Sequence, residues 1–113
     1  MITSVDLEGT GKGFDIELIK QVSDNVSIPV IAHGGAGKPE DVVSAIRHGS
    51  ADAVAVSSLL HYDYVDHNKA KSANNLEGNT EFIRSGRKFH NFKTADIAGI
   101  KMVMQRQGLL VRK

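Results

Sequence analysis

Three short apolar runs, Ile2 to Val5, Pro29 to Ala32 and Ala53 to Ser57, each end in small or polar residues. Their centres lie roughly 25 residues apart, about the length of one βα unit. The first and third are rich in Val, Ile and Ala without clean polar alternation. That suits strands buried on both faces of a parallel sheet. Helical periodicity fills the gaps. Asp15 is placed to cap a helix with Ile16, Ile19, Val22 and Val26 on one face. Pro39 suits a first helical position, followed by acidic Glu40 and Asp41 in the first turn. Val42, Val43, Ala45 and Ile46 then form an apolar stripe, and Gly49 marks its stop. Thr94 precedes a further helix bearing Ile97, Ile100, Val103 and Met104, stopped by Gly108.

Between His61 and Lys93 the periodicity dissolves into polar, charged, Asn-rich chain. So long a stretch reads as an insertion or mobile loop over 62–93, with a short helix at Glu81 to Arg84. The order strand, helix, strand, helix, strand, insertion, helix implies an α/β architecture with parallel strands. Three such strands leave two apolar edges unpaired and are too few to close a barrel. The chain therefore reads as a piece of a larger domain.

Composition narrows the function classes. The 113 residues make one domain at most, with 41% hydrophobic and 24% charged residues, an ordinary globular balance. A formal charge of +1 gives no global reason to expect nucleic acid or an anionic membrane as a partner. The absence of cysteine excludes a disulfide framework, a zinc–thiolate site and a cysteine nucleophile. The start, MITSVDLEG, lacks the basic region and apolar stretch of a secretory signal, and no apolar run approaches the roughly 18 residues of a membrane span. A cytoplasmic location is the expectation.

The candidate chemistry sits where the strands end. "PVIAHGGAGKPED" runs from an apolar stretch straight into Gly34, Gly35, Ala36 and Gly37. It fails the Walker pattern, because Gly37-Lys38 is followed by Pro39 and the earlier glycine position holds Ala32. It fails the dinucleotide fingerprint as well. Two readings stand: a sharp strand-to-helix turn needing positive φ, or a loop whose bare N–H groups converge on an anion with the helix after Pro39 aimed at it. "VDLEGTGKGFD" also follows a strand and carries Gly9, Gly11 and Gly13, while "VAVSSLLH" places Ser57 and Ser58 after the third. Three consecutive strand ends bearing glycine or hydroxyl groups fit ligand binding at the C-terminal ends of a parallel sheet.

Asp6 and Glu8 follow the first strand as candidates for acid–base work or for loop capping. They share a face only if the strand extends that far. His33 stands between strand and glycine loop, within reach of a ligand or simply packed. His48, His61, His67 and His90 have no zinc-binding spacing, so no metal is expected. Lys38 and the cluster from Arg84 to Lys88 are either anion contacts or a solvated basic face.

Taken together, "ITSVDLEGTGKGFDIELI", "IPVIAHGGAGKPED" and "ADAVAVSSLLH" resemble the last three βα units, the sixth to the eighth, of the cyclase subunit of imidazole glycerol phosphate synthase. The resemblance covers residues 2 to 61 and returns weakly at 94 to 112. It implies a partial (βα)8 TIM barrel, residues 1–113 being the C-terminal part of one such domain. It also implies a lyase-type step of histidine biosynthesis. Ammonia from a glutaminase subunit meets a bisphosphorylated ribulosyl aminoimidazole carboxamide, giving imidazole glycerol phosphate and an aminoimidazole carboxamide ribotide. By the same resemblance one substrate phosphate lies against Gly9, Gly34, Gly35, Ala36, Ser57 and Ser58. Thr3, Glu8 and Thr10 line the site, with His33 beside them in a supporting role. No cofactor is implied.

The departures from the family pattern are specific. Its principal acid and base are aspartates on the first and fifth strands, so the isolated chain is expected to be inactive. His33 stands where the family commonly has Ser, and Glu8 where it commonly has Asp. These features, with the long tail, leave two other readings open. One is a paralogous subunit that helps install amidine groups on surface-polysaccharide sugars. The other is a non-catalytic phosphate-binding half-barrel.

Overall fold

The computed structural model describes residues 1–68 and 92–112. Apart from α3 its elements follow the expected order: β1 (Ile2–Thr3), α1 (Ile16–Ser23), β2 (Ile31–His33), α2 (Pro39–Arg47), β3 (Ala53–Ala55), α3 (Ser58–Asn68) and α4 (Ile97–Arg106). The three strands form one parallel sheet in the order β1-β2-β3. Ile2 pairs with Ala32 and Thr3 with His33, while Ile31, Ala32 and His33 face Ala53, Val54 and Ala55.

The strands are shorter than the apolar runs, and hydrogen bonding explains where they stop. After Thr3 the chain curls at once, with the Glu8 N–H donating to the Ser4 carbonyl at 3.0 Å and the Thr10 N–H to Leu7 at 3.1 Å. Asp6 and Glu8 therefore do not sit on a strand. Ahead of β2, Pro29 has no N–H to give, and the Val30 N–H donates to the Asp52 carboxylate at 2.7 Å. The Asp52 N–H returns a bond to the Val30 carbonyl at 2.9 Å, which stitches the entries of β2 and β3 together.

All the described helices contribute to one core. Ile19 of α1, Val42 and Ala45 of α2, Leu59 of α3 and Ile100 of α4 surround Ala32, with Ile2 and Val54 packed against them. Ala32 is 0% exposed, whereas its neighbour Ile31 is 38% exposed. Alternation thus puts Ala32 on the helix side and Ile31 and His33 on the open side. Burial on both faces, expected from the apolar runs, does not hold for this chain by itself.

Capping decides the helix limits. Asp15 caps α1 as expected, accepting from the Leu18 N–H at 3.1 Å. The helix ends at Ser23, so Val26 lies beyond it at 42% exposure. Pro39 opens α2 as expected. Asp41 does more than favour the dipole: its carboxylate accepts from the Gly37 N–H at 2.8 Å and the Lys38 N–H at 3.1 Å. The Asp41→Ala variant is expected to lose about 1 kcal/mol, the usual cost of an N-terminal cap, as a lowered urea midpoint.

At the other end of α2 the left-handed residue is Ser50, with φ 57°, and not Gly49. Gly49 serves close approach instead, because a Cβ there would lie 2.6 Å from the Ala45 carbonyl oxygen and 2.8 Å from Ile19 Cγ2. On α4 the cap is Asp96, which accepts from the Gly99 N–H at 2.7 Å. Gly108 takes the left-handed stop as expected, with φ 75°. The segment bearing α4 returns across α2. The Lys93 N–H donates to the Gly37 carbonyl at 2.7 Å, the Phe92 and Tyr62 rings lie 5.1 Å apart, and the Arg47 guanidinium donates to the Gln107 carbonyl.

α3 is the element the periodicity misses. It continues through residues 61–68, inside the stretch read as irregular. Its apolar residues do not gather on one face, so there is no 3.6-residue signal to read. Residues 69–91, including the helix expected at Glu81 to Arg84, the Arg84 to Lys88 cluster and His90, lie outside the described residues. No described helix is long and apolar enough to cross a membrane.

Candidate functional site

A backbone hydrogen bond clamps the β1–α1 and β2–α2 loops to each other. The Gly13 N–H donates to the Gly35 carbonyl at 2.8 Å. Gly35 has φ 100°, and a Cβ there would lie 2.1 Å from the Gly13 carbonyl oxygen. A side chain is thus excluded twice, by conformation and by the neighbouring loop. The turn reading of this glycine is correct as far as it goes. The same clamp also draws the strand ends around a cavity.

That cavity has a volume of about 150 Å³, room for several waters at about 30 Å³ each. Glu8 and Gly9 line it from the β1–α1 loop, His33, Gly34, Gly35 and Ala36 from the end of β2, and Ser57 and Ser58 from the end of β3. Eight of the ten residues singled out in the sequence meet there. Thr3 stands behind the wall, its Oγ1 3.1 Å from His33 Nδ1. Thr10 does not reach it: its hydroxyl donates to the Leu7 carbonyl at 2.8 Å and holds the loop's curl. Asp6 and Lys38 are exposed and are not part of the wall. Ala55 and Val56 complete the lining. Both were legible as strand-end residues but, being apolar, carried no chemical signal.

Among the described residues no Lys or Arg lines the cavity; Glu8 and His33 are the ionisable side chains of the described wall. Of the two helix N-termini nearby, that of α2 is preceded by the Gly37 and Lys38 N–H groups, and both donate to the Asp41 carboxylate. α3 is better placed. Its intrahelical ladder begins with the His61 N–H on the Ser57 carbonyl at 2.9 Å, which leaves the N–H groups just before it without intrahelical partners. The hydroxyls of Ser57 and Ser58 stand at the same end. Such a set of neutral donors can bind an oxyanion by charge-assisted hydrogen bonds.

Elsewhere on α3, the Asp63 carbonyl, 2.9 Å from His67 Nδ1, raises the His67 pKa above its ordinary value, and the Asp63 carboxylate at 3.5 Å adds to the effect. No group of three or more His, Cys, Asp or Glu side chains among the described residues could hold a metal ion.

A parallel sheet packed with helices, whose strand C-terminal ends wall a cavity of glycine amides and serine hydroxyls, places the chain among α/β proteins of the barrel and open-sheet type. Comparison with known proteins is more specific. The family model described as "Histidine biosynthesis protein" matches residues 1–66, and the chain belongs to that family. It is 52% identical over 71 residues to the imidazole glycerol phosphate synthase subunit HisF of Lachnoclostridium phytofermentans, covering 63% of this chain and 28% of the relative. It is 52% identical over 62 residues to the same subunit of a Synechococcus species, covering 55% of this chain and 24% of the relative. The Methanosphaera stadtmanae subunit is 49% identical over 63 residues, covering 56% of this chain and 23% of the relative. The matched part thus spans about a quarter of the length of these curated relatives.

Proposed function

We propose that the chain forms the sixth to eighth βα units of a cyclase-type (βα)8 barrel, and that its cleft holds one phosphate of the bisphosphorylated substrate. The observation that carries this reading is the meeting of three strand-end loops at one cavity walled by Gly9, Gly35, Ala36, Ser57 and Ser58. The names of the relatives, imidazole glycerol phosphate synthase subunits, and of the matched family support formation of imidazole glycerol phosphate in histidine biosynthesis, and the resemblance adds that the reaction uses ammonia from a glutaminase subunit, the partner of the intact enzyme. In that assembly Glu8, Thr3, Thr10 and His33 act as supporting residues, Thr10 by holding the β1–α1 loop.

The phosphate is held at the start of α3, because the Gly37 and Lys38 N–H groups before α2 donate to Asp41. Titration of the ¹⁵N-labelled chain with inorganic phosphate tests this. The expected amide shifts cluster at Gly9, Gly35, Ala36, Ser57 and Ser58. Shifts centred on Gly37 and Lys38, or none at all, overturn the assignment. Under steady-state assay with ammonia and substrate the isolated chain is expected to show no turnover above background, and turnover near that of an intact enzyme refutes the reading of it as part of a site.

A further inference from the structure

We propose that His33, held by Thr3, binds the anion in this cleft: its ring Nε2–H donates to the bound phosphate. The inference rests on the phosphate reading above and goes beyond it in naming the side chain that meets the anion.

The pairing of β1 with β2 sets Thr3 directly beside His33. Ala32 faces the core, so His33 projects to the opposite side, where it lines the cavity. Thr3 Oγ1 engages Nδ1 at 3.1 Å, and Nε2 has no hydrogen-bond partner among the described residues. That division of labour matters. If the Thr3 hydroxyl donates to Nδ1, the ring proton must sit on Nε2; if the ring is charged, Thr3 accepts and Nε2 still carries a proton. An anion in the cleft favours both of these states over the one in which Nε2 is a bare acceptor. Among the described residues no Lys or Arg lines the cavity, so His33 is the side chain of the described wall that offers an anion a ring N–H. Thr3 is the positioning residue of this arrangement.

The test uses the full chain, inorganic phosphate as probe, and side-chain ¹⁵N spectra of His33. Phosphate is expected to shift Nε2 more than Nδ1. His33→Ala weakens phosphate binding about tenfold, as loss of a charge-assisted bond does, and His33→Gln, whose amide reaches a similar point, restores most of it. Thr3→Val weakens binding about threefold and moves the Nδ1 and Nε2 signals toward a tautomer mixture; Thr3→Ser restores both. A merely structural Thr3 would leave the tautomer signals unmoved. If His33→Ala and Thr3→Val bind as tightly as wild type while the shifts at Gly35 and Ser58 persist, the proposal is overturned and the phosphate site stands. If wild type binds no phosphate, both fall.

Discussion

Gly35→Ala is expected to cost about 3 kcal/mol or more, because it combines backbone strain with a forced separation of two loops. The added methyl would lie 2.1 Å from the Gly13 carbonyl oxygen and 3.1 Å from Leu7 Cβ, at a residue with φ 100°. No side-chain rotation relieves a clash with backbone. The Gly13–Gly35 hydrogen bond must break, and the cavity wall opens with it. For a small domain of about 5–15 kcal/mol total stability this is a large share. Gly9→Ala is the matched control: φ is 73° there, but nothing lies within 4 Å of the added methyl. Conformational strain alone costs about 1 kcal/mol. Urea denaturation of the two variants separates them, and equal losses would show that packing against Gly13 is not what requires Gly35.

Leu59→Ala is the second large effect, at about 2–5 kcal/mol for a buried leucine. Leu59 is 0% exposed and sits in the first turn of α3, next to Ser58. It roots that turn in the core, so its loss also loosens the hydroxyls and amides at the cavity. Chemical denaturation gives the stability change. The phosphate titration gives the second readout, in which the Ser57 and Ser58 shifts are expected to weaken with the helix anchor. Unchanged stability would mean that α3 is held elsewhere.

Much of the site was legible from local chemistry. Strand-end glycines and serines stood at a repeated spacing, and eight of the ten singled-out residues meet at the cavity. Asp15, Pro39 and Gly108 announced their helix ends, since caps act through bonds within a few residues. Thr10 is not among the residues lining the cavity, and its hydroxyl serves the loop it belongs to through a bond of three residues' span. Asp41 was read as a dipole charge, yet its carboxylate also takes the Gly37 and Lys38 N–H groups.

What the order of residues determined by itself is the class of architecture and the location of its chemistry. Apolar periodicity sets the alternation of strands and helices, and residue types that tolerate bare backbone or offer hydroxyls mark the strand ends. Tertiary structure decided the rest. α3 has no amphipathic pattern and exists because Leu59 finds a core built from four other elements. Gly35 is required by Gly13, twenty-two positions earlier, and Thr3 fixes the ring of His33 across a strand pairing. Each is a contact between residues far apart along the chain, and such contacts leave no local signal because their energy appears only when the segments meet.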